Sequence, residues 1–302
     1  MRWVWAAGLA ATILIPEAAA YGQALEPRSY ANTPVGINFL LLGYGHTDGD
    51  VSFDESSPIT DAKLHVDAGL AAYARSLDLW GLSGKFLAVV PFAEASGRAT
   101  VAGKEFERNV FGLADPLLRM SVNFFGAPAL SMADFPSYHQ DVILGASLQV
   151  TVPLGQYNSK KLLNVGTNRW SVKPELGLSK AWGPLTLEVI PGITFFTTNH
   201  DFFGGKTLEQ DPIYSVQGHL IYEVSPVFWT ALNTTYYTGG RTTVNGEQGP
   251  EPANARVGMT FALSMTRYQS IKLYGSTGVY NKLDNNFWAI GIAWQYRWGG
   301  GL

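Results

Sequence analysis

The 302-residue chain contains no cysteine, so neither a disulfide nor a thiolate zinc site supports its fold. Charged residues are also scarce, at 15% of the chain, and the formal net charge is -3. Such a balance is neither basic enough for nucleic-acid binding nor acidic enough for a disordered tail. Nucleic acid is therefore not an expected partner.

Long apolar runs are absent beyond residue 20. No later stretch reaches roughly 18 consecutive apolar residues, so a transmembrane helix is not expected in that part of the sequence. The N-terminus differs, because Arg2 precedes an apolar run from Trp3 to Ile15, and small residues follow up to Ala20. This order predicts a secretory signal at residues 1–20.

Apolar residues nevertheless make up 46% of the chain, and aromatic residues 13%. A secreted chain of this composition either buries a large soluble core or exposes apolar surface to lipid. The last segment favours lipid. Its alternate residues are large and apolar: Trp288, Ile290, Ile292, Trp294, Tyr296 and Trp298. A period of two indicates a β-strand, and aromatic rings near a strand end are typical of a membrane boundary.

About twelve segments are read as strands from this alternation. They span residues 35–45, 63–76, 85–96, 113–125, 140–153, 169–181, 185–198, 212–224, 227–238, 254–266, 270–280 and 286–298. Short connections, such as 182–184 and 225–226, alternate with long polar ones, such as 199–211 and 239–253. Short periplasmic turns and longer outer loops are typical of outer-membrane barrels.

The pattern predicts an all-β protein with a single antiparallel transmembrane β-barrel of about twelve strands. The barrel is expected at residues 35–298, after an N-terminal periplasmic segment at 21–34 and before a C-terminal tail at 299–302. The alternation is weakest in the first four segments, and Leu40 and Leu42 break it in the first. A soluble secreted β-sandwich is an alternative, because alternation alone does not prove lipid contact.

Polar side chains opposite the apolar faces are candidates for the barrel lumen. The candidates for a solute path are Asp141, Gln149, Lys173, Glu175, Glu188, Gln217, His219, Arg256, Lys272, Gln295 and Arg297. Further inward candidates are Asn38, His65, Asp67, Arg75, Arg119, Asn123 and Glu223. Lys173 and Glu175 share one face, so we expect them in one charged ladder with Arg256 or Glu188. Such residues either select solutes or form a salt-bridged plug, and about twelve strands lie between filled and open barrels.

Five aromatic residues fall near the predicted outer rim. They are Phe196, Phe202, Phe203, Tyr236 and Tyr237. These rings are candidates for a site that captures hydrophobic solutes, although an outer aromatic girdle explains them equally well.

An outer-membrane lipolytic enzyme is the enzymatic alternative, with a serine paired to His65 or His219. A nucleophile needs a base within hydrogen-bond reach and a third group that orients the base. No G-x-S-x-G motif is present, and no Ser–His pair stands out by its spacing. We therefore predict a protein without catalytic residues, metal or cofactor.

Several motifs resemble the outer-membrane transporters associated with the meta-pathway of phenol degradation. They are residues 112–116 (GLADP), 152–157 (VPLGQY), 168–177 (NRWSVKPELG), 236–243 (YYTGGRTT) and 293–298 (AWQYRW). The resemblance implies a β-barrel in the outer membrane of a Gram-negative bacterium that moves aromatic or other hydrophobic compounds. One departure is the C-terminus, because such barrels commonly end on an aromatic residue, whereas here Trp298 is followed by a tail that ends at Leu302.

The expected function is passive uptake of small hydrophobic or aromatic compounds, with outer-membrane lipid and the solutes themselves as partners. A structural barrel with a filled lumen is the remaining alternative. The sequence specifies neither the solute nor the oligomeric state.

Overall fold

The structure is a computed structural model. It describes residues 26–51, 59–101, 104–161, 163–283 and 286–302. The secretory signal predicted at residues 1–20 lies outside these ranges. Within them, regular structure consists of β-strands and one single-turn 3-10 helix at Phe135–Ser137. No helix in this part of the chain is long and apolar enough to cross a membrane.

The strands have the following bounds, in chain order. They are β1 (Ile37–Val51), β2 (Ile59–Leu79), β3 (Leu82–Val101), β4 (Lys104–Leu113), β5 (Leu117–Phe125), β6 (Val142–Thr151), β7 (Ser171–Trp182), β8 (Leu185–Phe196), β9 (Asn199–Phe202), β10 (Lys206–Gln210), β11 (Ile213–Ser225), β12 (Phe228–Gly239), β13 (Thr242–Val244), β14 (Glu247–Gln248), β15 (Ala253–Ser264), β16 (Gln269–Asn281) and β17 (Phe287–Gly299).

The main sheet closes on itself. Antiparallel pairing runs from β1 through β17, and β17 pairs back onto β1, with Ile37 opposite Gly299. Strand β3 pairs with β5 over one half and with β4 over the other. The two strands β4 and β5 therefore form one barrel position, and the barrel has twelve strands. The predicted fold class is confirmed.

The two ends of the barrel differ. One end carries the start of β1, the C-terminal residue Leu302 and the tight turns, and it is called the terminal end below. Strands β2 and β3 meet there in a two-residue turn, where Trp80 has φ 56° and Gly81 has φ 84°. Positive φ at both positions is the geometry of a type I′ hairpin, whose twist matches that of the strands. The other end carries the longer connections and is called the long-loop end.

The barrel position shared by β4 and β5 is broken at residues 114–116. Pro116 has no backbone N–H to donate to a strand ladder. The carboxylate of Asp115 instead accepts hydrogen bonds from the backbone N–H groups of Gly155, at 2.7 Å, and Thr167, at 2.8 Å. These bonds attach the connection between β6 and β7 to the break in the barrel wall. Beyond the break, the described partner of β4 in the sheet is β3 alone.

Large apolar side chains cover the outside of the barrel. Exposed examples are Leu40, Leu42 and Tyr44 on β1, Leu176 and Leu178 on β7, Leu232 and Tyr236 on β12, Met259, Phe261 and Leu263 on β15, and Trp288, Ile290 and Ile292 on β17. The rings of Trp294, Tyr296 and Trp298 stack along β17, with centroids 6.2 and 5.8 Å apart. A continuous apolar exterior with an aromatic border is the surface that a lipid bilayer covers.

Strands β2 and β3 extend further toward the long-loop end than the alternation predicts. Next to this extension, still inside the predicted segments 63–76 and 85–96, the outward residues include His65, Asp67 and Glu94. Because charge on the lipid face is unfavourable, this part of the hairpin lies beyond the hydrocarbon layer. The sequence also did not predict a second extension at the long-loop end. The long connections after β8 and β12 hold a four-stranded sheet made of β9, β10, β13 and β14.

Candidate transport lumen

Residues 26–36 lie inside the terminal end of the barrel. The sequence predicts a periplasmic segment at 21–34, and the described part of that segment occupies the lumen instead. It reaches far enough for Glu26 and Ser29 to line the central cavity. We call residues 26–36 the inner segment. Alternation could not locate it, because the segment has no strand period.

Tyr30 anchors the inner segment. Its side chain is 1% exposed, and its ring lies over Gly145 and Gly177, where any Cβ atom would overlap the ring. The hydroxyl donates to Ser147 Oγ at 3.2 Å, and Asn123 Nδ2 donates to the Tyr30 carbonyl at 3.0 Å. Burial raises the pKa of the Tyr30 hydroxyl, so it remains a neutral donor near neutral pH.

Charged groups on several strands also hold the inner segment. The backbone N–H of Arg28 donates to Glu188 Oε2 at 2.7 Å, and its guanidinium donates to Glu223 Oε1 at 2.7 Å. Lys85 Nζ on β3 donates to the carbonyls of Ser29, at 3.2 Å, and Ala31, at 2.7 Å. The segment therefore bridges opposite sides of the barrel.

A buried triad of charged side chains lies next to the inner segment, on its side toward the long-loop end. Glu175 is 5% exposed and pairs with Lys173 Nζ at 2.8 Å and with Arg119 Nη2 at 3.0 Å. Gln217 approaches the same carboxylate at 3.5 Å. Lys173 and Glu175 thus share a ladder as predicted, but the prediction that Arg256 or Glu188 completes it is wrong. Arg119 on β5 takes that place.

A cavity of ≈ 190 Å³ lies above the inner segment and the triad. One side, called the apolar wall, comes from β1, β2, β3 and the start of β5. Its residues are Leu41, Leu70, Ala72, Leu87, Val89 and Leu117. The other side is called the polar wall, because most of its residues are polar: Arg119, Gln149, Lys173, Glu175, Gln217, Asn233, Arg256, Thr260, Lys272 and Ser276. Ile190, Met259, Tyr274, Phe287, Ala289 and Ala293 also line the cavity on that side.

Arg256 and Lys272 differ from the cations of the triad. Arg256 is 3% exposed, its Cζ atom lies over the Phe287 ring, 3.7 Å from the centroid, and Nη2 donates to Ser276 Oγ at 2.8 Å. Its Nη1 atom lies 3.5 Å from the Phe287 carbonyl, and Nε has no hydrogen-bond partner. Among the described residues, neither Arg256 nor Lys272 forms an ion pair with a carboxylate.

Ten of the eleven predicted path residues fall into three groups. Six line the cavity: Gln149, Lys173, Glu175, Gln217, Arg256 and Lys272. Glu188 and His219 are buried at 1% and 0% exposure but do not line it. Gln295 and Arg297 share a face of β17 with Ala289 and Ala293, which do line it. They lie nearer the terminal end, where Arg297 Nε donates to the Arg267 carbonyl at 2.7 Å.

Asp141 is not a lumen residue. It precedes β6 at the terminal end, is 78% exposed and pairs with the outward Lys180. The alternation of β6 gives Asp141 the inward parity, but the strand begins only at Val142, so the parity no longer fixes its side chain. The predicted strand begins at residue 140, before the observed start of β6, so the inward assignment of Asp141 is wrong.

Four of the further inward candidates face outward. Asn38 and Arg75 lie opposite each other on the β1–β2 ladder, on the same face as the exposed Leu40. His65 and Asp67 lie on that face near the long-loop end, where His65 pairs with Asp48 and Asp67 accepts hydrogen bonds from Tyr44 and His46. Apolar residues occur on both faces of these strands, so alternation alone assigned their inward and outward faces the wrong way round.

The predicted rim aromatics all lie toward the long-loop end but do not converge. Tyr236 is exposed on the lipid side, whereas Tyr237 faces inward and accepts a hydrogen bond from Asn254. The Phe196 ring lies under the Arg169 guanidinium at 4.6 Å. Phe202 ends β9, and Phe203 follows it. The structure therefore places these rings in separate environments instead of one capture site.

The histidines named for a lipolytic site have other partners. His219 Nδ1 lies 2.8 Å from Asn233 Oδ1, its Nε2 atom has no described partner, and His65 pairs with Asp48. Neither imidazole is hydrogen-bonded to a serine, which a nucleophile–base pair requires. In the described part of the chain, no three His, Asp or Glu side chains are grouped as metal ligands.

Sequence reasoning missed two contributors to the lumen. One is the inner segment with Tyr30. The other is the apolar wall, whose inward leucines and valines were hidden because their strands are apolar on the lipid side as well. The outward Leu40 and Leu42 flank the inward Leu41, and this loss of alternation was the available signal. A strand that is apolar on both faces needs an apolar environment on both faces.

The fold has known counterparts. An outer membrane channel from Pseudomonas putida F1 superimposes with a TM-score of 0.77 at 20% identity, over 90% of this chain and 99% of that one. The translocator domain of the autotransporter NalP from Neisseria meningitidis gives a TM-score of 0.53 at 9% identity, over 93% of each chain. No curated protein matches the sequence.

Together, the closed antiparallel sheet, its apolar exterior and these counterparts define the class. The protein is a twelve-stranded β-barrel of the bacterial outer membrane. Residues 45–298 match the family described as "Putative MetA-pathway of phenol degradation". The chain belongs to that family, as the motifs predicted.

Proposed function

We propose that the barrel is a passive channel for small hydrophobic or aromatic compounds. The observation that carries the proposal is the cavity, because it places an apolar wall opposite a polar wall inside a closed barrel. Binding sites for small organic molecules are typically concave and largely apolar, with a few polar groups that orient the ligand. The family description and the superimposable outer membrane channel support the same proposal.

The route that fits the geometry begins at the long-loop end. A solute descends into the cavity and places its apolar part against Leu41, Leu70 and Leu117, while its polar groups face Gln149 and Gln217. The inner segment lies below, so passage to the terminal end follows the remaining space around it or requires that it moves. No cofactor or energy source enters this scheme.

Planar-bilayer recordings of the purified full chain test the proposal. We expect an ion current that benzyl alcohol, a neutral aromatic probe, reduces in a saturable manner. Leu70→Trp fills the apolar wall and should abolish the saturable block. Leu220→Trp is the matched control, because Leu220 is 42% exposed on the lipid side, and its block should equal that of the unmodified protein.

Uptake by cells provides the second measurement. A Gram-negative host that produces the protein should accumulate labelled benzyl alcohol faster than cells with an empty vector, and Leu70→Trp should remove the difference. A barrel that carries no current and gives no added uptake contradicts the proposal and favours a filled structural barrel. The inner segment is the observation that supports that competitor.

A further inference from the structure

We propose that the transported compounds include amphiphilic monocarboxylates, such as aromatic acids, and that Arg256 binds their carboxylate. This inference rests on the proposed channel function and specifies its substrate class. It depends on the charge that remains uncompensated in the lumen after the triad is formed.

The cavity lining is positively charged. It contains the cations Arg119, Lys173, Arg256 and Lys272 but only the carboxylates Glu26 and Glu175, so these side chains carry a net charge of +2. The triad neutralises part of this charge, because Glu175 contacts both Lys173 and Arg119. Arg256 and Lys272 remain without a carboxylate in the described structure. Low-dielectric walls concentrate such a field and attract anions.

Arg256 has the features of a prepared site. A buried charge without a counter-ion is unfavourable, yet the side chain is 3% exposed and lines the cavity. The guanidinium packs over the Phe287 ring at 3.7 Å, donates from Nη2 to Ser276 Oγ at 2.8 Å and approaches the Phe287 carbonyl with Nη1 at 3.5 Å. A guanidinium offers five donors, so donors remain for a ligand that brings the missing negative charge.

The chemistry of the ligand follows from the two walls. A planar guanidinium matches a carboxylate through two parallel hydrogen bonds. The apolar wall offers Leu41, Leu70 and Leu87 to the remainder of the molecule. An inorganic anion would satisfy Arg256 but leave that wall unused, and a neutral hydrocarbon would leave Arg256 without a counter-ion. A carboxylate joined to an aromatic ring or short hydrocarbon uses both.

Lys272 supplies the next position for the anion. In the β15–β16 ladder, Arg256 lies opposite Gly278, whereas Lys272 lies opposite Ala262, toward the terminal end. Six residues of strand separate the two levels, a distance of roughly 20 Å along the barrel wall. A carboxylate released from Arg256 therefore meets a second cation before it reaches the inner segment, which favours transfer over permanent capture.

The test compares benzoate with benzamide, a neutral molecule of similar shape, in planar bilayers that contain the full chain. We expect benzoate to block the current at a concentration about tenfold lower than benzamide, since charged hydrogen bonds are stronger than neutral ones. Under a KCl gradient, the sign of the reversal potential should indicate preference for chloride. Arg256→Gln should reduce the benzoate advantage to about twofold or less, and Arg256→Lys should restore part of it.

Arg75→Gln is the matched control, because it removes an arginine from the outer face of the barrel and should change neither measurement. Lys272→Gln should weaken the chloride preference even if Arg256→Gln fails to fold, and the comparison of the two probes needs no variant. Equal block by benzoate and benzamide, or preference for potassium, overturns the carboxylate assignment and leaves the channel proposal standing. A barrel that carries no ion current at all contradicts the channel proposal itself.

Discussion

The two walls of the lumen are built by opposite rules. The apolar wall comes from β1, β2, β3 and the start of β5, which carry apolar side chains inward and also toward the lipid. The polar wall comes largely from strands such as β7, whose inward residues Lys173 and Glu175 alternate with the exposed Leu176 and Leu178. The difference is what the proposed amphiphilic solutes require, because neither wall alone would suit them.

The largest expected effect concerns the stability of the polar wall. Glu175→Ala leaves Arg119 and Lys173 buried without their shared carboxylate, and removing one partner of a buried ion pair costs about 3–5 kcal/mol. Urea unfolding in detergent, followed by tryptophan fluorescence, measures the change. Glu223→Ala is the control, because its pair with Arg28 is half exposed and should contribute about 1 kcal/mol or less. Equal losses would mean that the triad has no special role.

The second expected effect concerns the link between the two walls. Tyr30→Ala removes the ring that packs over Gly145 and Gly177, so the inner segment should lose its anchor and the ion current should rise severalfold. Tyr30→Phe keeps the ring and loses only the hydrogen bond to Ser147, so its current should stay near that of the unmodified protein. A current unchanged by Tyr30→Ala would show that the segment does not limit passage.

The third expected effect concerns packing in the apolar wall. Leu117 is 4% exposed and packs with Ala72 and Val89. Leu117→Ala should lower the free energy of unfolding by about 2 kcal/mol, at the low end for a buried leucine because the neighbouring cavity already limits its contacts. Leu118→Ala changes the next residue, which is 42% exposed toward lipid, and should cost less. The same urea titration measures both variants, and a larger loss for Leu118→Ala would contradict the inward assignment of Leu117.

The smallest expected effect concerns solute affinity. Leu70→Ser should weaken the block by benzyl alcohol about fourfold to fifteenfold, since it removes roughly one to two methylene contacts of about 0.8 kcal/mol each. The block by benzoate should weaken by a similar factor, because its ring uses the same wall. Leu220→Ser changes only the lipid face and should leave both blocks unaltered. A selective loss of benzoate block would place the ring elsewhere.

The same contrast explains how far the sequence could predict the structure. Where one face is apolar and the other polar, as in β7, β15 and β17, alternation predicted the strands and their inward residues. In β1 and β2, both faces are apolar near the middle, so the phase was ambiguous and Arg75 and His65 were placed inward. Periodicity fails there because it reports a difference between two environments, and the two environments are alike.

The ion triad and the inner segment lay beyond periodicity for another reason. Alternation predicted that Lys173 and Glu175 share a face, but the partner Arg119 comes from β5, two strands away around the barrel. Tyr30 lies in a segment without a period, and its site is a gap left by the glycines of β6 and β7. Such contacts depend on strand neighbours and register, which a single sequence does not reveal.

The position of residues 26–36 has a consequence for biogenesis. These residues leave the ribosome before any strand, yet the wall that surrounds them is finished only when the last strand, β17, joins β1. Order of synthesis and order of enclosure are thus opposite. Either the segment is already seated when the final seam closes, or it enters afterwards through the mouth beside Glu223. Once β17 has paired with β1, the inner segment can no longer enter the lumen between the first and last strands.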